Sequence, residues 1–65
     1  MASDVLDTPE AAAYVRLSKP TLERLRLTGE GPRYAKLGKA VRYRRADLDA
    51  WITSRLIRST SDEAA

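Results

Sequence analysis

Cysteine and histidine are both absent from the 65 residues. That excludes disulfide staples and thiolate zinc sites, and it removes the usual general base and the commonest imidazole metal ligand. No nucleophile–base pair, metal-ligand cluster or phosphate-cradling loop takes their place, and so short a chain lacks the mass to enclose a pocket. An enzyme is therefore not expected, and neither are catalytic residues, a metal or a cofactor. No apolar run approaches the roughly 20 residues that span a bilayer. The first residues, Met1-Ala2-Ser3-Asp4, lack the basic and apolar regions of a signal peptide. The expectation is a cytoplasmic protein without membrane contact. At this length the chain forms one domain that buries only about 60% of its unfolded surface. Its core must come from aliphatic residues, Trp51 and three tyrosines.

Charge is present in quantity but unevenly placed. Residues 1–15 hold Asp4, Asp7 and Glu10 and no base. Residues 16–45 hold ten bases against Glu23 and Glu30, a local balance of +8. Residues 46–65 hold four acids and two bases. Positive charge gathered in the middle of one small domain is the footprint of a polyanion binder, set against the plainer reading of a solvated basic surface.

Helix signals open the chain. Asp7 or Thr8 caps a first helix, Pro9 suits its first turn, and Glu10 lies three residues beyond Asp7 as in a capping box. Ala11, Ala12 and Ala13 keep this helix slim enough for another to approach closely. Ser18 then caps a second helix with Pro20 in its first turn and Leu22 and Leu25 as an apolar pair, over Lys19 to Thr28, stopped by Gly29. Two short helices separated by Arg16-Leu17, with Leu17 plugging the space between them, read as a helix-turn-helix.

Beyond Gly29-Glu30-Gly31-Pro32 the period changes to two. Ala35, Leu37, Val41 and Tyr43 alternate with Lys36, Arg42 and Arg44. A two-residue loop at Gly38-Lys39 would set Lys36 opposite Val41. A three-residue loop, Gly38-Lys39-Ala40, pairs Leu37 with Val41, Ala35 with Tyr43 and Lys36 with Arg42, and is preferred because it keeps one face apolar. A last helix is expected from about Ala46 to Leu56. Leu48, Trp51, Ile52 and Leu56 form its core stripe, and Asp47 and Asp49 complement its N-terminal dipole. The domain is expected over residues 5–57, and residues 58–65 are expected to be a disordered tail.

Lys36 facing Arg42, with Lys39 at the tip and Arg44 and Arg45 beyond, is an unfavourable way to build a purely structural hairpin. Phosphates between those cations would relieve the repulsion and release counterions. The capped helix upstream is of a size to enter the major groove with its N-terminal residues at base edges.

The run TPEAAAYVRLSKPTLERLRLTGEGPRYAKLGKAVRYRRADLDAWI resembles the excisionase-type and AlpA-like helix-turn-helix proteins, relatives of the MerR DNA-binding half. The resemblance covers roughly residues 6–56. It rests on the order and spacing of EAAAY, the S-x-x-TL of Ser18, Thr21 and Leu22, the GP…LG hairpin and RRADLDAW. It implies a mainly helical winged helix-turn-helix fold, α-α-β-β-α, with the hairpin as wing. It also implies a role in directing an integrase toward excision or in regulating transcription in phages and mobile elements. Members commonly carry glycine in the inter-helix turn, where this chain has Arg16. A left-handed backbone there would strain Arg16 by about 1 kcal/mol. No long heptad follows the domain, so the coiled-coil dimer of full MerR proteins is not expected. Cooperative self-association on DNA is the family alternative.

The expected contacts with double-stranded DNA are Ser18, Lys19, Pro20, Thr21 and Arg24 from the second helix, and Lys36, Lys39, Arg42 and Arg44 from the wing. Each weighs against an ordinary solvated surface, and Arg26 more readily pairs with an acid. Trp51 could stack on a base but belongs in the core by its spacing. Tyr14 and Tyr34 are open between packing and a hydrogen bond to phosphate. The rival function is a protein-interaction module that binds an integrase, with DNA binding secondary.

Overall fold

A computed structural model describes residues 4–57. In chain order the elements are β1 (Val5–Leu6), α1 (Thr8–Val15), α2 (Lys19–Thr28), β2 (Ala35–Leu37), β3 (Ala40–Arg44) and α3 (Arg45–Ser54). This is the expected α-α-β-β-α order preceded by a two-residue strand that no alternation in the sequence announces. The expected tail, residues 58–65, lies outside the described residues.

Local chemistry accounts for the starts of α1 and α2. Asp7 is the N-cap of α1: its carboxylate accepts from the Glu10 N–H at 2.9 Å while Glu10 Oε1 accepts from the Asp7 N–H at 2.9 Å, a closed capping box. Ser18 caps α2, its hydroxyl accepting from the Thr21 N–H at 3.3 Å. The ends follow equally local rules. Arg16 takes φ 62, ψ 40, and the Leu17 N–H reaches back to the Ala12 carbonyl at 2.9 Å. That left-handed reversal after α1 is the turn of the helix-turn-helix, built on arginine instead of glycine. Gly29, at φ 80, ends α2 in the same way.

The sheet order is β1-β3-β2, antiparallel throughout. Leu6 pairs with Tyr43 and Val5 with Arg44. In the hairpin Leu37 pairs with Ala40, Lys36 with Val41 and Ala35 with Arg42, so the loop is Gly38-Lys39. The expected three-residue loop, and with it the pairing of Lys36 with Arg42, is incorrect. Turn chemistry outweighs alternation here: Gly38 has φ +67, which a two-residue hairpin loop of the primed type needs at its first position. Burial does not oppose that choice, because Leu37, on the face of β2 opposite to Lys36, is 60% exposed. The wing tip stands beyond the core, where no face has to stay apolar.

The core is small. Ala11, Ala12, Leu22, Tyr43 and Leu48 are buried, and Leu6, Val15 and Val41 pack partly buried against them. Ala11 and Ala12 let Leu22 of α2 reach Tyr43 and Leu48, the use expected of small residues in α1. The stripe expected on α3 holds only at its start. Leu48 is fully buried, Trp51 is half-buried, Ile52 is 38% exposed, and Leu56 lies past the helix end at 73% exposed. Trp51 therefore does not centre the core. Its indole N–H donates to the Glu30 carbonyl at 3.0 Å, and Arg55 Nη2 donates to the same oxygen at 2.6 Å. Gly31 is pressed against α2, where a Cβ would lie 2.9 Å from Leu25 Cβ. The connector between α2 and the wing is thus gripped by both helices.

Replacing Arg16 by glycine should remove the left-handed strain, offset in part by the greater freedom of glycine in the unfolded chain. The expected net gain is up to about 1 kcal/mol, read as a rise of a few degrees in Tm. A lower Tm for Arg16→Gly would show that the Arg16 side chain contributes more than its backbone loses.

Candidate nucleic-acid interface

Helix α2 turns Leu22 inward, so Pro20, Arg24 and Leu27 fall on its far side, and all three are exposed, Leu27 at 84%. Among the described residues the Arg24 side chain takes part in no hydrogen bond or ion pair. Lys19 approaches Glu23 at 3.8 Å, an exposed i,i+4 pair whose two side chains remain 56% and 42% accessible. Such a pair contributes little and yields readily to another anion. Ser18 and Thr21 share a hydroxyl hydrogen bond of 2.7 Å, so both are committed to the cap at the helix start while staying at its surface. Of the five residues expected to contact DNA from this helix, Ser18, Lys19, Pro20 and Thr21 lie at its start and Arg24 in its middle.

On the wing, Lys36 and Lys39 are exposed, and their side chains have no hydrogen bond or ion pair among the described residues. Arg42 is half-buried and its Nη1 donates to the Val41 carbonyl at 2.8 Å. Opposite residues of an antiparallel pair share a face and neighbours along a strand alternate, so Lys36 and Arg42 lie on opposite faces of the hairpin. The cross-strand repulsion expected between them is absent. Arg44 is already engaged: its guanidinium forks onto Asp47, Nε to Oδ2 at 2.8 Å and Nη2 to Oδ1 at 3.2 Å. Of the four expected wing contacts, the structure leaves Lys36 and Lys39 without partners and gives Arg42 and Arg44 internal ones.

The family model described as helix-turn-helix domain matches residues 5–56, from β1 to just past α3. The chain belongs to that family. It is the family of the excisionase-type and AlpA-like proteins, and its helix-turn-helix domain is a DNA-binding one. Comparison with curated proteins gives no match. Among the described residues, no helix of this helix-turn-helix domain is long and apolar enough to cross a membrane.

Other polar residues now have assignments. The Tyr14 hydroxyl donates to Asp49 Oδ1 at 2.6 Å and so ties α1 to α3. That hydrogen bond, then desolvation and the charge of Asp49, holds the phenol above its ordinary pKa. Asp47 and Asp49 serve different partners, Arg44 and Tyr14. Arg26 pairs with no acid: its Nη1 donates to the Tyr43 hydroxyl at 3.3 Å and its guanidinium carbon lies 5.8 Å from the Tyr34 ring centroid. Tyr34 is 44% exposed and stacks obliquely on Tyr43, with centroids 6.0 Å apart. Arg33, exposed on the connector, is a further cation of the basic segment. Periodicity cannot single it out, because it belongs to neither a helix nor a strand.

The Arg44–Asp47 fork sets a pH dependence. Its hydrogen bond with Arg44, more than the surrounding charge, holds the Asp47 carboxyl below its usual range. A depressed folded-state pKa adds stability above the unfolded value, and that contribution is lost as pH falls through the folded value. The pair therefore stabilises at neutral pH and fades below about pH 4. Melts of the parent and Asp47→Asn should diverge at neutral pH, the parent being more stable, and converge in acid. Curves that stay parallel down to about pH 2 would mean the fork adds no stability.

Proposed function

We propose that residues 5–57 form a sequence-specific binder of double-stranded DNA. In this reading α2 enters the major groove, and the β2–β3 wing lies on the phosphate backbone. The observation that carries it is the placement of unpartnered cations. Arg24 projects from the outward face of α2, Lys36 and Lys39 stand on the wing, and none of the three has a partner within the described residues. A helix of ten residues is short enough to lie in the groove, with Ser18, Lys19, Pro20 and Thr21 at its entering end. Arg24 is the base reader, since a planar guanidinium matches the paired acceptors on a guanine edge. Lys36 and Lys39 contact phosphate directly. Arg42 and Arg44 join them by exchanging the Val41 carbonyl and the Asp47 carboxylate for phosphate oxygens.

The biological role consistent with the family is that of a recombination directionality factor or a transcriptional regulator of a phage or mobile element. An integrase and further copies of the chain on neighbouring sites are the partners such a role calls for. The competing role, a module that binds an integrase through protein contacts alone, draws on exposed Leu27 and Leu37. Duplex titration separates the two, because a pure interaction module is indifferent to DNA and to salt.

Binding sites are to be selected from a random duplex library and titrated by fluorescence at two salt concentrations. Lys36→Ala and Lys39→Ala should weaken all duplexes alike and lower the salt slope by roughly one unit each. Arg24→Ala should lose about 1–3 kcal/mol on the selected site and flatten the preference at one base position. If Arg24→Ala instead weakened every duplex equally while a wing substitution altered base preference, the wing would be the reader and the assignment above would fail.

A further inference from the structure

Between the end of α2 and the start of β2 lies a recess of about 330 Å³ whose only charged lining residues, among the described residues, are Arg26 and Arg33, with Tyr34 beside them and Leu25 and Pro32 as apolar wall. We infer that this recess seats one phosphate group, held jointly by the Arg26 and Arg33 guanidiniums. Arg26 is half-buried, yet its partners are a neutral phenol at 3.3 Å and an aromatic ring. A guanidinium taken partly out of water is normally compensated by a carboxylate, and here none is within ion-pair distance. Among the described residues the Arg33 side chain makes no hydrogen bond or ion pair; its charge acts at longer range on Asp47, which lies on the other side of the segment. Two like charges share one concavity with no acid on its wall, and a tetrahedral oxyanion relieves that repulsion. Phosphate suits the fork geometry of arginine, which offers paired N–H donors to two oxygens.

The helix end argues the other way, since the C-terminus of α2 carries a partial negative charge of about one half. Its effect is blunted by the connector: the Leu25 carbonyl accepts from the N–H groups of Gly29, Glu30 and Gly31 at 3.0, 3.1 and 3.3 Å. Two full positive charges outweigh what is left. A second recess of about 270 Å³, across the Gly31–Arg33 segment, is lined by Asp47 as well as Arg33 and so does not select for an anion. With a DNA backbone phosphate as its source, the seat rests on the DNA-binding reading above. A free phosphate anion needs only the recess.

The test uses the full chain with Arg33→Ala, Arg33→Lys, Arg26→Lys and the Arg33→Ala/Arg26→Lys double variant. Arg33 is exposed and makes no hydrogen bond, so its substitutions should leave the fold intact, and melts of each variant check this. In one arm a short random-sequence duplex is titrated at two salt concentrations. Arg33→Ala should weaken binding and lower the salt slope by roughly one unit, while Arg33→Lys keeps the slope. Arg26→Lys and Arg33→Ala should be non-additive, because each opens the same clamp. In the other arm the arginine side-chain NMR signals are followed as inorganic phosphate is added at constant ionic strength against chloride. Saturable shifts of both Arg26 and Arg33, abolished by Arg33→Ala, would identify free phosphate as an occupant. A non-additive loss in the duplex arm, or a saturable shift of both arginines in the phosphate arm, supports the seat and names its source. Strictly additive losses on DNA without a phosphate response would place the two arginines on separate phosphates and overturn it. An unchanged slope with no phosphate-dependent shift also overturns the seat. If the parent chain still bound its selected duplex, the proposed function would survive that result. A parent chain indifferent to duplex but shifted by phosphate would keep the seat and sink the DNA-binding reading.

Discussion

The burial of Tyr43 is the constraint on which the other placements depend. It sits on the central strand, paired with Leu6 of β1, and is fully enclosed with Leu22 and Leu48. A phenol cannot be buried without a partner for its hydroxyl, and that partner is Arg26 of α2. Tyr34 closes over the same ring from the wing side. One side chain thereby fixes the middle of the sheet, the roll of α2 and the base of the wing. The relation between α2 and the wing, which decides whether both can meet one duplex, is set by the core more than by the connector between them. Glu30 and Gly31 then hold that connector from outside, through Trp51, Arg55 and the tight approach to Leu25.

Features that depend on a few consecutive residues were legible in the sequence. The N-caps of α1 and α2 and the glycine end of α2 need only neighbours three to five residues away, and each stands where the residue types place it; the left-handed Arg16 was expected only from the family resemblance. What escaped detection is nonlocal. Strand β1 is two residues long and exists because β3 presents an edge beside it, which Val5-Leu6 alone cannot signal. The hairpin register shows a subtler limit. Alternation argued for a three-residue loop on the assumption that Leu37 must be buried, but alternation is enforced only where a face meets the core. At the tip nothing covers the sheet, and a glycine able to take positive φ decided the register instead.

The same limit applies to the interface. That a cation such as Arg24 faces outward could be read from spacing alone, because one buried residue, Leu22, sets the whole wheel. Arg42, Arg44 and Arg26 could not be assigned in that way, because whether a cation is spare depends on what lies across from it in space. Asp47 is three residues from Arg44 in the chain, yet the fork between them forms only because α3 begins directly at the strand end. Trp51 makes the complementary point. Its spacing from Leu48 fits a core stripe, but the chain is too small to cover a second turn of α3, so the indole is used at the rim to grip Glu30.

A core of five buried side chains leaves little stability in reserve, and the positive segment works against it by self-repulsion. Both facts point toward ligand-linked stability. An anion held by Arg24, Lys36 and Lys39 together, as proposed above, would favour the folded arrangement, since the unfolded chain does not hold these side chains in one surface. Binding of that kind adds RT ln(1 + [L]/Kd), about 2.7 kcal/mol at a ligand concentration a hundredfold above Kd. For a domain of this size that is a substantial share of the total. The wing would gain most, because its tip has no core beneath it and its register rests on one turn. The strained Arg16 fits the same account. A residue that weakens the free domain by about 1 kcal/mol is tolerable where the working state is the bound one. Arg16 is also an exposed cation between the two helices, so it adds to the field that attracts the ligand.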